Sequence, residues 1–162
     1  MKAFFIGRMQ PFHNGHFKVL NQLLNNNELI IGIGCPADYS QANRQLYPFF
    51  YKEVRQMIYE SLAGDYQIIR VNNNESNDVW VQQIIDCIGS DYTLYTGNEL
   101  VKQIFSGVGI KVIDLDRWEG ISATLVRSLI YQGNESWKEL VPKGTIKVLY
   151  EVNGLKRLKL LT

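Results

Sequence analysis

The chain has 162 residues, 46% of them hydrophobic and 20% charged, which is long enough for one well-buried core and short for two. Seventeen basic residues against sixteen acidic ones leave a formal charge of +1, so no general basic field marks nucleic acid or a membrane surface as the main partner. Any anion site has to be local.

The opening apolar stretch is too short for a secretory signal, and no run approaches the roughly 18 apolar residues of a membrane span, so a cytoplasmic location is expected. Residues 3–7, 29–34, 66–71, 92–96 and 110–113 are apolar runs of strand length, the first two ending in glycine. Helix-like stretches lie between them, near residues 16–24, 49–62, 77–88 and 98–105. Residues 121–127 read as a further helix start, and residues 147–152 as part of a helical tail. Apolar strands that alternate with helices are expected in a parallel sheet covered on both faces, here a doubly wound α/β sheet of five strands. The longest stretches without clear periodicity, residues 35–48 and 72–76, are expected to be functional or mobile loops. Cys35 and Cys87 are too few and too isolated for a disulfide framework or a zinc site, and both are expected as reduced core residues. Two matches to glycosylation acceptors, at Asn74 and Asn134, are expected to be chance without a secretion signal.

Both histidines of the chain lie in Gly7-Arg8-Met9-Gln10-Pro11-Phe12-His13-Asn14-Gly15-His16, directly after the first strand. In an open parallel sheet, ligands bind outside the carboxyl ends of the strands, which is where this segment falls. Gly7 lets a ligand approach the backbone, and Arg8 supplies a permanently charged fork for phosphate oxygens. His13 and His16 project from a turn entering a helix, beside its unpaired N–H groups. One core and one surface histidine is the plainer alternative. A zinc site would need a third ligand, and neither a further histidine nor a paired cysteine exists to supply one. Far downstream, Ile121-Ser122-Ala123-Thr124-Leu125-Val126-Arg127 offers a helix cap, a hydroxyl and a guanidinium to one anion, although Ser122 alone could be no more than a cap.

These two segments together resemble the nucleotidylyltransferase superfamily, whose marks are H-x-G-H and I-S-x-T-x-[IV]-R. Further stretches are similar to the archaeal-type nicotinamide-nucleotide adenylyltransferases. They are Tyr95-Thr96-Gly97-Asn98, Asn77-Asp78-Val79-Trp80, Trp137-Lys138-Glu139-Leu140-Val141-Pro142 and Val152-Asn153-Gly154-Leu155-Lys156-Arg157-Leu158. The resemblance implies a Rossmann-like nucleotidylyltransferase fold with a helical C-terminal tail, residues 1–162 forming a single domain. It implies transfer of AMP from ATP to nicotinamide mononucleotide, with a Mg²⁺ ion held mainly by phosphates and water, in a homo-oligomer that is commonly hexameric. Arg8, His13, His16, Ser122, Thr124 and Arg127 would bind the ATP phosphates, and Gly7, Gly97 and Asn98 would lie near the adenosine. Trp80 would stack on the nicotinamide. Its alternative is a core stripe, because Trp80, Ile84 and Ile88 recur every four residues.

Three positions depart from the family pattern. Arg44, where the family has a phosphate-contacting arginine, lies further than usual from Pro48-Phe49. Val54 replaces the arginine after Glu53. Asn73 stands where family members commonly have an aspartate near the nicotinamide, which leaves open the choice between the amide and nicotinic acid mononucleotide. Phosphopantetheine as acceptor and a non-catalytic nucleotide sensor are the remaining rivals. A tRNA-charging enzyme would need extra domains and a basic surface.

Overall fold

The computed structural model describes residues 1–73, 76–115 and 120–161. Its five strands, β1 (Lys2–Gly7), β2 (Glu28–Cys35), β3 (Tyr66–Asn72), β4 (Tyr92–Thr96) and β5 (Val112–Asp114), form one sheet in the order β3-β2-β1-β4-β5. Every neighbouring pair is parallel. The helices between them are α1 (Asn14–Leu24), α2 (Gln41–Arg44), α3 (Tyr51–Ser61), α4 (Asn77–Ile88) and α5 (Glu99–Gly107). After β5 come α6 (Ala123–Tyr131), a 3-10 turn (Glu135–Leu140), α7 (Lys143–Glu151) and α8 (Gly154–Leu160).

Alternation along the strands sends successive side chains to opposite faces, and both faces are apolar, so helices must cover both. Phe5, Ile31 and Ile33 pack with Val19 and Leu20 of α1, Val54, Met57 and Ile58 of α3, and Val148 and Leu149 of α7. Phe4, Ile30 and Leu94 pack on the other side with Val81 and Ile84 of α4 and Phe105 of α5. The doubly wound sheet is the architecture that the periodicity implies, and its strand order reverses between β1 and β4.

Several boundaries differ from the sequence expectation. The loop expected over residues 35–48 gives up Cys35 to β2 and contains the short helix α2. The tail is longer and more broken than expected. Pro142, pre-set in φ, opens α7, and Asn153 at φ 54° in the left-handed region separates it from α8. Cys35 is buried, but Cys87 lies exposed on α4 and is not the core residue expected of it, because the helix buries the face of Val81 and Ile84 instead. Among the described residues no helix is long and apolar enough to cross a membrane.

Helices α3 and α7 approach closely at Gly144, where an added Cβ would lie 2.5 Å from the backbone carbonyl carbon of Glu60. Gly144→Ala should therefore destabilise the protein by about 1–3 kcal/mol in denaturant melts. Gly107→Ala, where a Cβ meets nothing within 4 Å, should leave the midpoint unchanged or raise it slightly.

Candidate active site

A cavity of about 730 Å³ opens over the carboxyl ends of β1 and β4, at the reversal of strand order. Gly7, Arg8, Met9, Gln10, His13 and His16 line one side, Thr96, Gly97 and Asn98 a second, and Ile121, Ser122, Thr124 and Arg127 a third. The structure thus brings the histidine segment and the late helix start into one cavity. Its described lining contains no carboxylate.

The spacing of the two histidines has a local cause. His13 is the N-cap of α1, and its Nδ1 accepts the Gly15 N–H at 3.1 Å. His16, in the first turn, accepts the His13 N–H on its own Nδ1 at 3.2 Å, so each histidine caps the helix for the other in the manner of a capping box. The rings stack with centroids 3.7 Å apart, and the Phe12 ring lies nearly parallel to that of His16 with centroids 5.8 Å apart. Burial holds the His13 pKa down to about 4 and that of His16 well below its usual value, with His13 adding to the second shift. Both are neutral at physiological pH. An imidazole whose Nδ1 accepts carries its proton on Nε2, so each ring keeps one donor for a ligand.

Positive charge comes from the arginines. Arg127 loses basicity through burial and through the nearby Arg8. Two guanidiniums in one cavity without a carboxylate among the described lining residues repel each other until an anion enters. Two helix N-termini add partial positive charge at the same place, α1 at Asn14 and α6 at Ala123. Ser122 caps α6 by accepting the Leu125 N–H at 3.0 Å, and Asn98 caps α5 by accepting the Val101 N–H at 3.1 Å. Their oxygens therefore fix helix starts at the rim, while Thr124 stands exposed on the first turn of α6. At Gly97 a Cβ would come within 3.2 Å of the Leu115 carbonyl.

The family model described as cytidylyltransferase-like matches residues 4–129. The chain belongs to the cytidylyltransferase-like family. Among its relatives, the nicotinamide-nucleotide adenylyltransferase of Methanocorpusculum labreanum is 37% identical over 98% of this chain and 95% of its own length. The enzyme of the same name from Picrophilus torridus is 34% identical over 98% and 96%. A solved bifunctional NMN adenylyltransferase/ADP ribose pyrophosphatase of Francisella tularensis, complexed with AMP and a Mn ion, shares the fold at a TM-score of 0.73 and 20% identity. That match covers 98% of this chain and 52% of the other, so the chain spans about half its length.

Three candidates drawn from the family pattern are not among the residues lining the cavity. Arg44 lays its guanidinium over Phe50 at 4.3 Å and donates to the Pro48 carbonyl at 3.0 Å, a cation–π stack that turns it toward the protein. Trp80 packs edge-on to Phe105 at 5.6 Å, within the cluster that includes Ile84 and Ile88, the arrangement expected of a core stripe. Asn73 sits beyond the end of β3 and donates its side-chain amide to Tyr47 Oη at 2.7 Å. Among the described residues no group of three or more His, Cys, Asp or Glu could hold a metal ion.

Two further residues shape the site and were not singled out from sequence. Gln10, 3% exposed, donates to the Phe49 carbonyl at 2.9 Å and accepts the Phe49 N–H at 2.8 Å, replacing a strand partner. Thr145 donates to the Phe12 carbonyl at 2.9 Å. The only sequence signal for Gln10 is a polar residue enclosed by Met9, Pro11 and Phe12.

The depressed His13 pKa has a consequence for stability. Above pH 6.5 both folded and unfolded chains keep this ring neutral. As pH falls from 6.5 toward 4 the unfolded chain takes up a proton that the folded chain refuses, so stability falls, by about 3 kcal/mol at the lower limit. His16 acts in the same direction. Denaturant melts between pH 7.5 and 4.5 should show this slope, and His13→Asn, which keeps a capping side chain, should flatten it.

Proposed function

We propose that the chain transfers the AMP moiety of ATP to nicotinamide mononucleotide, forming NAD and releasing pyrophosphate. The observation that carries this reading is the meeting of His13, His16, Arg8 and Arg127 in one carboxylate-poor cavity of a chain 37% identical to an enzyme of that name.

The nucleophile is the acceptor's own phosphate. Its second pKa near 6 leaves it mostly dianionic at neutral pH, so no general base is needed, which suits a site without described carboxylates. One acceptor oxygen bonds to the α-phosphorus of ATP while the bond from that phosphorus to the β-bridging oxygen breaks, and the electron pair leaves with pyrophosphate. The protein's part is to hold two anions in line and to neutralise charge as it moves onto the leaving group. In this assignment the neutral imidazoles of His13 and His16 donate Nε2–H to phosphate oxygens, and Arg8 and Arg127 supply charge. The start of α6, with Ser122 and Thr124, cradles the triphosphate. Gly7, Gly97 and Asn98 face the adenosine. A Mg²⁺ ion bound to the triphosphate would supply charge neutralisation there, with Ser122, Thr124 and the arginines holding the nucleotide around it. A homo-oligomer, the hexamer implied by the resemblance, is the assembly expected for this single domain.

The test is direct. The protein incubated with ATP, Mg²⁺ and nicotinamide mononucleotide should yield a product with the mass of NAD together with one equivalent of pyrophosphate. Loss of one preorganised donor costs about 3 kcal/mol of transition-state stabilisation, so His16→Ala should lower kcat by roughly two to three orders of magnitude with the fold intact by circular dichroism. Near-normal turnover in that variant would remove His16 from the mechanism.

A further inference from the structure

We infer that Thr145 and Asn14 are positioning residues through which the C-terminal tail holds the chain on both sides of His13 and sets the direction of the two imidazoles. The inference rests on the adenylyl-transfer reading above and gives that reaction a requirement outside its cavity, since neither residue lines it. On one side of His13, Phe12 is fully buried and precedes the N-cap, so its carbonyl lies outside the hydrogen-bond ladder of α1. The Thr145 hydroxyl, itself fully buried, donates to that carbonyl at 2.9 Å. On the other side, Asn14 opens α1, and its side-chain amide donates to the Glu139 carbonyl of the 3-10 turn, also at 2.9 Å. Residues 12 and 14 are thus pinned to two different parts of the tail. His13 lies between them.

Both anchors are themselves fixed. Gly144 lets α7 press against the backbone of Glu60, and Thr145 follows it into the core on a buried face whose other members are Gly144, Val148 and Leu149. The hydroxyl is the one polar group of that face. The 3-10 turn is held by the buried Trp137 and capped by Asn134, which accepts the Ser136 N–H at 3.0 Å. Nor can His13 move alone, because its Nδ1 accepts the Gly15 N–H, its own N–H goes to Nδ1 of His16, and its ring stacks on that of His16. A shift of its backbone therefore turns both rings and both Nε2–H donors. One bond to a buried carbonyl would only satisfy it. Two bonds from different elements, one on each side of the same residue, fix its orientation as well.

The experiment takes the full chain with ATP, Mg²⁺ and nicotinamide mononucleotide and pairs kinetics with NMR of the histidine rings, whose signals are simple because the chain has only two histidines. Thr145→Val keeps the shape and removes the donor, and it should lower kcat about tenfold with the KM for ATP changed less than about twofold, because misplaced donors are felt in the transition state. Thr145→Ser returns the hydroxyl and should bring kcat back to within about threefold of wild type. Asn14→Ala, a truncation near the surface that leaves the core intact, should lower kcat about threefold, and it decides the matter if Thr145→Val does not fold. The ring signals of His13 and His16 should move in Thr145→Val and Asn14→Ala and return in Thr145→Ser. A hydroxyl that serves stability alone would lower the melting midpoint of Thr145→Val and leave kcat and the ring signals in place. That result, or a kcat within about twofold of wild type in a folded Asn14→Ala, overturns the inference while leaving adenylyl transfer standing. A wild type that forms no NAD overturns the underlying reading and the catalytic role inferred here with it, whereas ring signals that still move would keep the tail's hold on His13.

Discussion

Four hydrogen bonds from distant parts of the chain hold the turn between β1 and α1, and the candidate site exists because of them. Gln10 exchanges two bonds with the backbone of Phe49, Arg127 donates to the Gln10 carbonyl at 2.6 Å, and Thr145 donates to that of Phe12. Met9, 2% exposed and in the left-handed region at φ 52°, marks a conformation that local sequence alone disfavours. Such a backbone persists only where its surroundings over-determine it. The same bonds aim the capping pair of histidines, because α1 begins where the turn ends. Arg127 is thus both a candidate phosphate ligand and a clamp on the histidine segment, so any substitution there combines lost charge with an orphaned buried carbonyl.

Charge in the cavity follows a consistent logic. If both histidines were protonated beside Arg8 and Arg127, four cations would crowd one enclosed volume before any ligand arrived. Burial prevents this by holding both imidazoles neutral, while Nδ1 is used for capping and Nε2–H stays available. The site therefore has fixed donors with limited self-repulsion. This is the preorganised condition under which hydrogen bonds to developing negative charge are strongest. The arginines supply net charge from opposite sides, one from the end of β1 and one from α6, so the anion itself relieves their repulsion.

The parts of the molecule legible in the sequence were those with a strong local pattern. Apolar runs of strand length gave the strands, and the turn after the first of them gave the entry to α1, expected near residue 16 and observed from Asn14; the mutual capping by His13 and His16 was not read from the sequence. The rule that parallel strands place their carboxyl ends on one rim located residues 7–16, while their meeting with residues 121–127 was implied by the family resemblance. Long-range polar contacts were not legible. Nothing local announces that Gln10 will find the backbone of Phe49, or that Arg44 will stack on Phe50 rather than face a ligand. Trp80 was ambiguous for a physical reason, since a tryptophan in the first turn of an amphipathic helix suits both a core stripe and a stacking platform. The structure packs it against Phe105. Residues 116–119, between β5 and Gly120, lie outside the described residues, as does Asn74 of the glycosylation match.

The tail beyond the matched family segment is structurally part of the site. The family match ends at residue 129, yet Thr145 of α7 holds the Phe12 carbonyl and Arg157 of α8 holds the wall next to it. Arg157 grips Glu53 with two nitrogens, at 2.6 and 2.9 Å, and reaches the Pro48 carbonyl at 3.2 Å. Glu53, 6% exposed, also accepts the Phe50 N–H at 2.9 Å, so one buried carboxylate joins the start of α3 to the tail. A buried carboxylate deprived of its partner is costly, and the departure at Val54 leaves no arginine immediately after Glu53 in the chain. The partner arrives from 104 residues away instead. Because Phe49, which clamps Gln10, lies directly between Pro48 and Phe50, this ion pair fixes the backbone on which the histidine turn rests. The tail therefore acts on the cavity through α3, without contributing a side chain to its described lining.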